Sequence, residues 1–263
     1  MMCLKRCKTY WGDDTLIILK SDPEIEKMRR AGVLVAKAFE AIREMIRPGI
    51  TTEDLDRLAE RVITESGGIP AFKGYRGFPA SICASVNEQV VHGIPDQRLL
   101  KSGDILSVDI GTIVEDFYGD AAVTFAIGEI SDEAKRLLSV TEASLRAAIE
   151  KACLGNRLSD ISHTVQSYVE QQGFSVVRDY VGHGIGRSMH ESPQIPNFGK
   201  PGRGPRLEAG MVLAIEPMVN AGDYQVETLD DNWTVVTADR SLSAHFEHSI
   251  AITKEGPEIL TCL

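Results

Sequence analysis

The sequence predicts an α+β fold made of two similar halves, and three observations support it. A long amphipathic helix, a shorter helix and a set of short strands follow one another twice along the chain. Ser21-Asp22 at the head of the first long helix is echoed by Ser131-Asp132 about 110 residues later, which an internal duplication explains economically. The chain has 263 residues, 43% of them apolar and 25% charged, the composition of a soluble globular domain able to bury one large core. We therefore expect a short extension over residues 1–20 and a single domain over 21–263, with halves near 21–130 and 131–263.

In the extension, Lys5, Arg6 and Lys8 form a basic stretch, Trp11-Gly12-Asp13-Asp14 follows, and Leu16–Leu19 reads as a brief strand. Cys3 and Cys7 lack the second pair that a tetrahedral zinc knuckle requires. From Ser21 the pattern is helical: Ser21 or Asp22 caps the helix, Pro23 lies in its first turn, and Glu24 completes a capping box. Apolar residues from Ile25 to Ile46 keep helical spacing until Pro48-Gly49 ends the run. Thr51 or Thr52 caps a second helix that stops at Gly67-Gly68. Strands follow at Ser81–Val86, Ile105–Ile110 and Ala121–Ile127, separated by Gly, Pro, Asn and Asp. The second half repeats the plan, with a helix from Ser131 through Ala152 and another over Leu158–Gln172. Its strands are expected at Phe174–Val177, Met211–Ile215, Trp233–Thr237 and His248–Ile252.

Composition excludes several function classes. With 28 Lys+Arg against 38 Asp+Glu the formal charge is −10, which argues against general nucleic-acid binding and favours a site for cations. No apolar stretch near the N-terminus approaches the roughly 20 residues that span a bilayer, so neither secretion nor membrane insertion is expected. The five cysteines are odd in number and scattered, which fits a reducing cytoplasm.

Four constellations stand out. Asp109 closes one apolar strand and Asp120 opens the next, so antiparallel pairing would bring two carboxylates together; buried acids this close need a cation or a shared proton. His183 sits between glycines in what reads as a glycine-rich turn, followed by His190 in a polar loop. Glu216 comes directly after a buried apolar run, where a carboxylate needs a partner. Ser243-Ala244-His245-Phe246-Glu247-His248-Ser249-Ile250 sets another acid, Glu247, at the mouth of an apolar strand. Two Asp, one His and two Glu suit two divalent cations of the Mn, Fe, Co or Zn type. Taken singly, each Asp is an ordinary turn residue and each His an ordinary structural one.

The order and spacing of these pieces resemble the type I methionine aminopeptidases, members of the pita-bread (creatinase/aminopeptidase) metallopeptidases, across nearly all of residues 21–263. The stretches that carry the resemblance are Gly74–Cys83, Val86-Asn87-Glu88 with His92-Gly93-Ile94-Pro95, the Asp109 and Asp120 segments, Gly182–Gly186 with His190-Glu191, Glu216-Pro217, and Trp233-Thr234 running into Glu247-His248. The resemblance implies two pseudo-symmetric αα-plus-strand halves around a central antiparallel sheet. It implies two divalent metal ions held by Asp109, Asp120, His183, Glu216 and Glu247, with Asp120 and Glu247 bridging. It also implies a monovalent cation near Asn87 and Ser243. Glu216 or Glu247 would move a proton from the attacking water to the leaving amine, His190 would donate to the developing oxyanion, and His92 would hold the scissile amide. Phe72, Tyr75, Phe78, Cys83, His92, Met189, His190 and Trp233 would bind substrate, an aromatic and sulfur-rich wall that suits a thioether. Phe72 and Met189 stand where some relatives carry Cys and an aromatic residue, which bears on pocket shape. The implied activity is removal of the initiator methionine from nascent polypeptides, most readily before a small second residue, by a cytoplasmic monomer that contacts the ribosome transiently.

Two other readings compete. A proline-specific aminopeptidase or dipeptidase of the same fold shares the ligand set, but such enzymes usually carry a large N-terminal domain in place of about 20 extra residues. A non-catalytic binding module of this fold would have lost ligands, and here all are present. The carboxylates lie at strand ends and not in helical Glu-x-x-His pairs, which argues against a di-iron bundle.

Overall fold

The computed structural model describes residues 16–262, so the expectations for Cys3, Cys7, Lys5, Arg6, Lys8 and Trp11 to Asp14 lie outside the described residues. Leu16–Leu19 is not a strand: Ile17 packs on the core while Leu16, Ile18 and Leu19 are exposed. The segment's backbone is held through Lys20, whose N–H donates to Gly210 O at 2.7 Å and whose Nζ donates to Ile18 O at 2.9 Å.

Four α-helices follow from their caps. Helix α1 (Asp22–Met45) is capped by Ser21, whose N–H and hydroxyl both donate to the Glu24 carboxylate. Helix α2 (Thr52–Glu65) is capped by Thr51, which exchanges hydrogen bonds of 3.1 Å with Asp54. Ser131 Oγ accepts from Ala134 N–H to begin α3 (Asp132–Ile149), and α4 (Leu158–Gln171) starts where Arg157 N–H meets Asp160. Helix α1 stops short of Pro48-Gly49 because Ile46 has already turned to extended backbone, the conformation a nearby proline favours.

The centre is a nine-stranded antiparallel sheet. Its spine runs Ile69–Pro70, Ile105–Val114, Phe117–Ala126, Glu247–Ile252, Val212–Ile215, Gly182–Gly184 and Glu191–Ile195; Ile82–Val86 also pairs with Ile105–Val114, and Pro257–Ile259 with Glu247–Ile252. Two small sheets flank it, Ser243–His245/Met218–Asn220/Ser175–Val176 and Val226–Thr228/Val235–Thr237/Gln89–Val91.

Two further expectations from the sequence differ from the structure. Asp109 and Asp120 are not at strand ends: the strands continue past both to a tight turn at Glu115-Asp116, where both residues take positive φ (49° and 65°) as a two-residue hairpin turn requires. The apolar residues Ile113, Val114 and Phe117 carry the hairpin that far. Gly182–Gly184 is a strand and not a turn. A Cβ on Gly182 would lie 2.4 Å from Ala214 O and one on Gly184 2.2 Å from Ser192 O, so these glycines serve close strand packing.

One face of the sheet carries the helices. Val35, Ile42, Leu55 and Ile63 of α1 and α2 pack on Ile82, Val108 and Ile110. Leu137, Leu145, Ile161 and Val165 of α3 and α4 pack on Leu213, Ile215 and Ile250. At Gly32 helix α1 meets the C-terminal segment so closely that an added Cβ would sit 2.1 Å from Leu260 O. Gly32→Ala is therefore expected to destabilise by about 1–2 kcal/mol, overpacking outweighing the better helix propensity of alanine. A thermal melt should show a Tm lower by roughly 2–8 °C. An unchanged Tm would mean that the C-terminal segment shifts at no cost.

Candidate functional site

Strand register places the acidic residues on the face opposite the helices. Asp109 pairs with Ala122 and Gly111 with Asp120, so both carboxylates project to one side of the hairpin. Glu247 also pairs with Ala122, and His248 with Ile215, which sets Glu216, the next residue, beside Glu247. His183 pairs with Ala214, two residues before Glu216, and Cys83 with Asp109. Every one of these side chains therefore shares a face, and the small residues Gly111, Ala122 and Ala214 interleave with them and leave room.

The resulting cluster is tight. Asp120, His183 and Glu247 each present a donor atom, all within 4.8 Å of one another. His183 Nε2 lies 3.5 Å from Glu216 Oε1 and 3.8 Å from Asp120 Oδ2. Its other nitrogen, Nδ1, donates to Gly184 O at 3.0 Å, so the lone pair is on Nε2, facing the carboxylates. Asp109 Oδ1, Asp120 Oδ1 and Glu247 Oε1 are buried without a hydrogen-bond donor.

Electrostatics agree with a cation site. Burial first, then repulsion from Asp120 and Glu216, pushes the Asp109 carboxyl well above the usual range. Glu216 is raised by burial and Asp120, and Glu247 by burial and the charges of Asp120, Glu216 and Asp109. Asp120 rises to about 7, burial outweighing the hydrogen bonds from Asp109 and the Ala121 amide. Burial lowers His183 to about 4, so its imidazole is neutral and able to ligate. Oxygen-rich ligands, one neutral imidazole and orphaned buried oxygens fit divalent cations of the transition series.

Phe72, Phe78, Cys83 and Met189 are buried in one apolar cluster, with Tyr75 and Trp233 packed against it. Phe78 meets Trp233 edge-on at 5.1 Å. Gly111 opens this pocket beside the carboxylates, since its Cβ would lie 2.6 Å from Phe72 and 2.8 Å from Met189. His92 stands edge-on to Trp233 at 6.4 Å and to Tyr180 at 5.6 Å. Its φ of 61° is uncommon outside glycine, and Gly93 follows it because a Cβ there would lie 2.4 Å from Ala84 O. His190 sits at the exposed rim, 4.4 Å from the His183 ring, with Nδ1 2.8 Å from the Tyr75 hydroxyl. The structure thus brings the pocket residues and both outer histidines around the cluster. Asn87 and Ser243 also meet, through a Ser243 N–H bond to Asn87 O of 2.9 Å.

His245, in the Ser243–Ile250 stretch, also belongs to the site. His245 is buried, and its Nε2, which has no hydrogen-bond partner, lies 3.5 Å from Glu216 Oε2. The alternation His245, Glu247, Ser249 was the available signal, but Phe246 separates two strands that belong to different sheets, so spacing alone did not place them together.

The sequence profile of metallopeptidase family M24 matches residues 26–254. A methionine aminopeptidase of Clostridium perfringens is 59% identical over 248 residues, covering 94% of this chain and 100% of that protein. Methionine aminopeptidase 1 of Bacillus subtilis is 57% identical over 246 residues, covering 94% and 99%. Among solved structures, a methionine aminopeptidase from Thermotoga maritima superposes with a TM-score of 0.93 at 50% identity, covering 94% of this chain and all of that one. A prolidase from Pyrococcus furiosus, 21% identical with a TM-score of 0.76, shares the fold over 94% of this chain and 66% of its own.

Proposed function

The chain belongs to metallopeptidase family M24, and from that premise we propose that the Asp109, Asp120, His183, Glu216 and Glu247 cluster carries its reaction, the hydrolytic removal of an N-terminal methionine. The observation that supports this most is the convergence of all five on one sheet face directly beside the Phe72, Phe78, Cys83, Met189 and Trp233 pocket. Asp109, Asp120 and Glu247 would hold one cation and His183, Asp120, Glu216 and Glu247 a second. Two bound divalent ions supply a hydroxide nucleophile near neutral pH and polarise the scissile carbonyl.

The remaining steps fall to the chain's own groups. The apolar pocket takes the unbranched thioether side chain, which gains sulfur–aromatic contacts with Phe78 and Trp233. Glu216 accepts the proton of the attacking water and returns it to the leaving amine. Tyr75, donating to His190 Nδ1, keeps the His190 proton on Nε2, aimed at the oxyanion that forms as the carbonyl is attacked. His92, neutral because burial lowers its pKa to about 4, contacts the scissile amide. A monovalent cation at Asn87 and Ser243 would brace the loop that leads to His92. Nascent polypeptides in the cytoplasm, met by a monomer in transient contact with the ribosome, are the substrates this reading implies, with a small second residue preferred. Among the described residues no helix is long and apolar enough to cross a membrane.

Product release from Met-Ala-Ser, Leu-Ala-Ser and Ala-Pro-Ser, with chelated enzyme before and after addition of Mn²⁺ or Co²⁺, tests the reading. Metal-restored release of methionine alone is expected. Cleavage of Ala-Pro-Ser in its place would move the specificity to the proline-directed branch of the fold. Tight metal binding without cleavage of any peptide would overturn catalysis altogether.

A further inference from the structure

Lys20 belongs by sequence to the N-terminal extension, yet its side chain is among the most buried charged groups of the protein. Its Nζ lies 2.5 Å from Glu191 Oε2, with the two side chains only 4% and 9% accessible, and it also donates to Ile18 O at 2.9 Å. The other Glu191 oxygen, Oε1, accepts from Ser188 N–H at 3.2 Å and so closes the loop that carries His190. Gly186 packs directly on the pair: a Cβ there would lie 2.4 Å from Lys20 Cε and 2.6 Å from Glu191 Oε1. Gly186 O is in turn held by Tyr118 N–H at 2.9 Å, and Lys20 N–H by Gly210 O at 2.7 Å. The ion pair therefore bolts the Gly186–Glu191 loop to the base of the Val212–Ile215 strand and, through Tyr118, to the hairpin that carries Asp120.

We infer that Lys20, through its buried ion pair with Glu191, is a positioning residue for His190. His190 lies exposed at the rim, and among the described residues its side chain has one hydrogen bond, to the hydroxyl of Tyr75. Its imidazole can meet an oxyanion only if its backbone is fixed, and Glu191 is its immediate neighbour in the chain. A misplacement of about 1 Å at such a donor costs about 100-fold in rate. A buried pair offers little net stability over apolar residues of the same shape, so geometric definition is the function it can serve here. The inference rests on the role given to His190 above.

The test is a double-mutant cycle on the metal-loaded enzyme, with kcat and KM for Met-Ala-Ser and metal content by atomic emission. Lys20→Met is expected to lower kcat ~10- to 100-fold, with KM changed far less and two metal ions retained. In a His190→Ala background the same substitution should cost less than about twofold, because the group it positions is gone. Since Lys20→Met leaves the Glu191 charge unpaired and can impair folding, Lys20→Met/Glu191→Gln provides the folded comparison and should show the same loss of kcat. Wild-type kcat in that folded double variant, or an equal loss in both backgrounds, overturns the positioning role and leaves the peptidase reading intact. Wild-type kcat in His190→Ala overturns the role of His190 and this inference with it.

Discussion

Asp120→Asn is expected to lose at least about 10³-fold in kcat/KM for a methionyl peptide while folding at least as stably as the wild type in the absence of metal. The first effect follows from the geometry. Asp120 shares with His183 and Glu247 the set of donor atoms within 4.8 Å, so removing its charge weakens both cation positions that it would bridge. Bound divalent ions supply several kcal/mol of transition-state stabilisation, and each ~1.4 kcal/mol lost is a factor of ten. The second effect has the opposite sign because Asp120 raises the carboxyl pKa of Asp109, Glu216 and Glu247 through repulsion. A neutral amide relieves that repulsion in the metal-free protein. Metal stoichiometry, kcat/KM and a metal-free melt on one preparation check both effects. Wild-type turnover with full metal content would place the metal centre elsewhere, and a lower metal-free Tm would mean that Asp120 acts chiefly as a structural hydrogen-bond partner.

The metal-free protein is expected to lose stability as pH rises from about 7.5 to 8.5, and saturating Mn²⁺ to reverse that trend. Asp109, Asp120, Glu216 and Glu247 all have folded-state pKa values above their unfolded values of about 3.9 to 4.3, with Asp120 at about 7. The folded state therefore binds more protons than the unfolded one. The stability linked to those protons is complete below pH ~4 and is lost as pH rises through the folded values. The buried histidines act oppositely. His183, His92 and His248 are lowered to about 4 and His245 to about 3, chiefly by burial, so their contribution is present above pH ~6.5 and lost on acidification. The histidine slope is half-maximal at pH ~6.5 and fades within about one pH unit above it, so from about pH 7.5 the carboxylates dominate, at up to about 1.4 kcal/mol per pH unit for each proton still held, joined towards pH ~8.5 by Cys83, whose buried thiol is pushed up in the same direction. Cations replace those protons, and at 100 times Kd each site adds about 2.7 kcal/mol. Melts at pH 6.5, 7.5 and 8.5 with and without Mn²⁺ should diverge as pH rises. Parallel curves would show that the carboxylates titrate normally and that the cluster is not a cation site.

The sequence on its own determined the helices, their caps and the chemical types at the centre. Ser21, Thr51 and Ser131 begin helices because capping is a contact between residues three apart, and such local physics is readable without a fold. Asp109, Asp120, His183, Glu216 and Glu247 were legible as ligand types and, through resemblance, as a set. The strands were less so. Both acids of the hairpin fell inside strands and not at their ends, and Gly182–Gly184 paired where a turn was expected, because pairing depends on which neighbour arrives.

Tertiary structure alone decided that all five candidate ligands share a face, that His245 reaches Glu216, and that Lys20 is buried against Glu191. Each is a long-range relation. Ser249 and Asp120 bond across 129 residues of sequence, and Lys20 and Glu191 across 171. A shift of one residue in any of those registers would turn a carboxylate from the cleft to the helix side. The register is held by apolar packing of the opposite face on α1 to α4, so the same burial that builds the core also aims the acids. Sequence names the groups; only the packed sheet can bring like charges close enough, and dry enough, to require a cation.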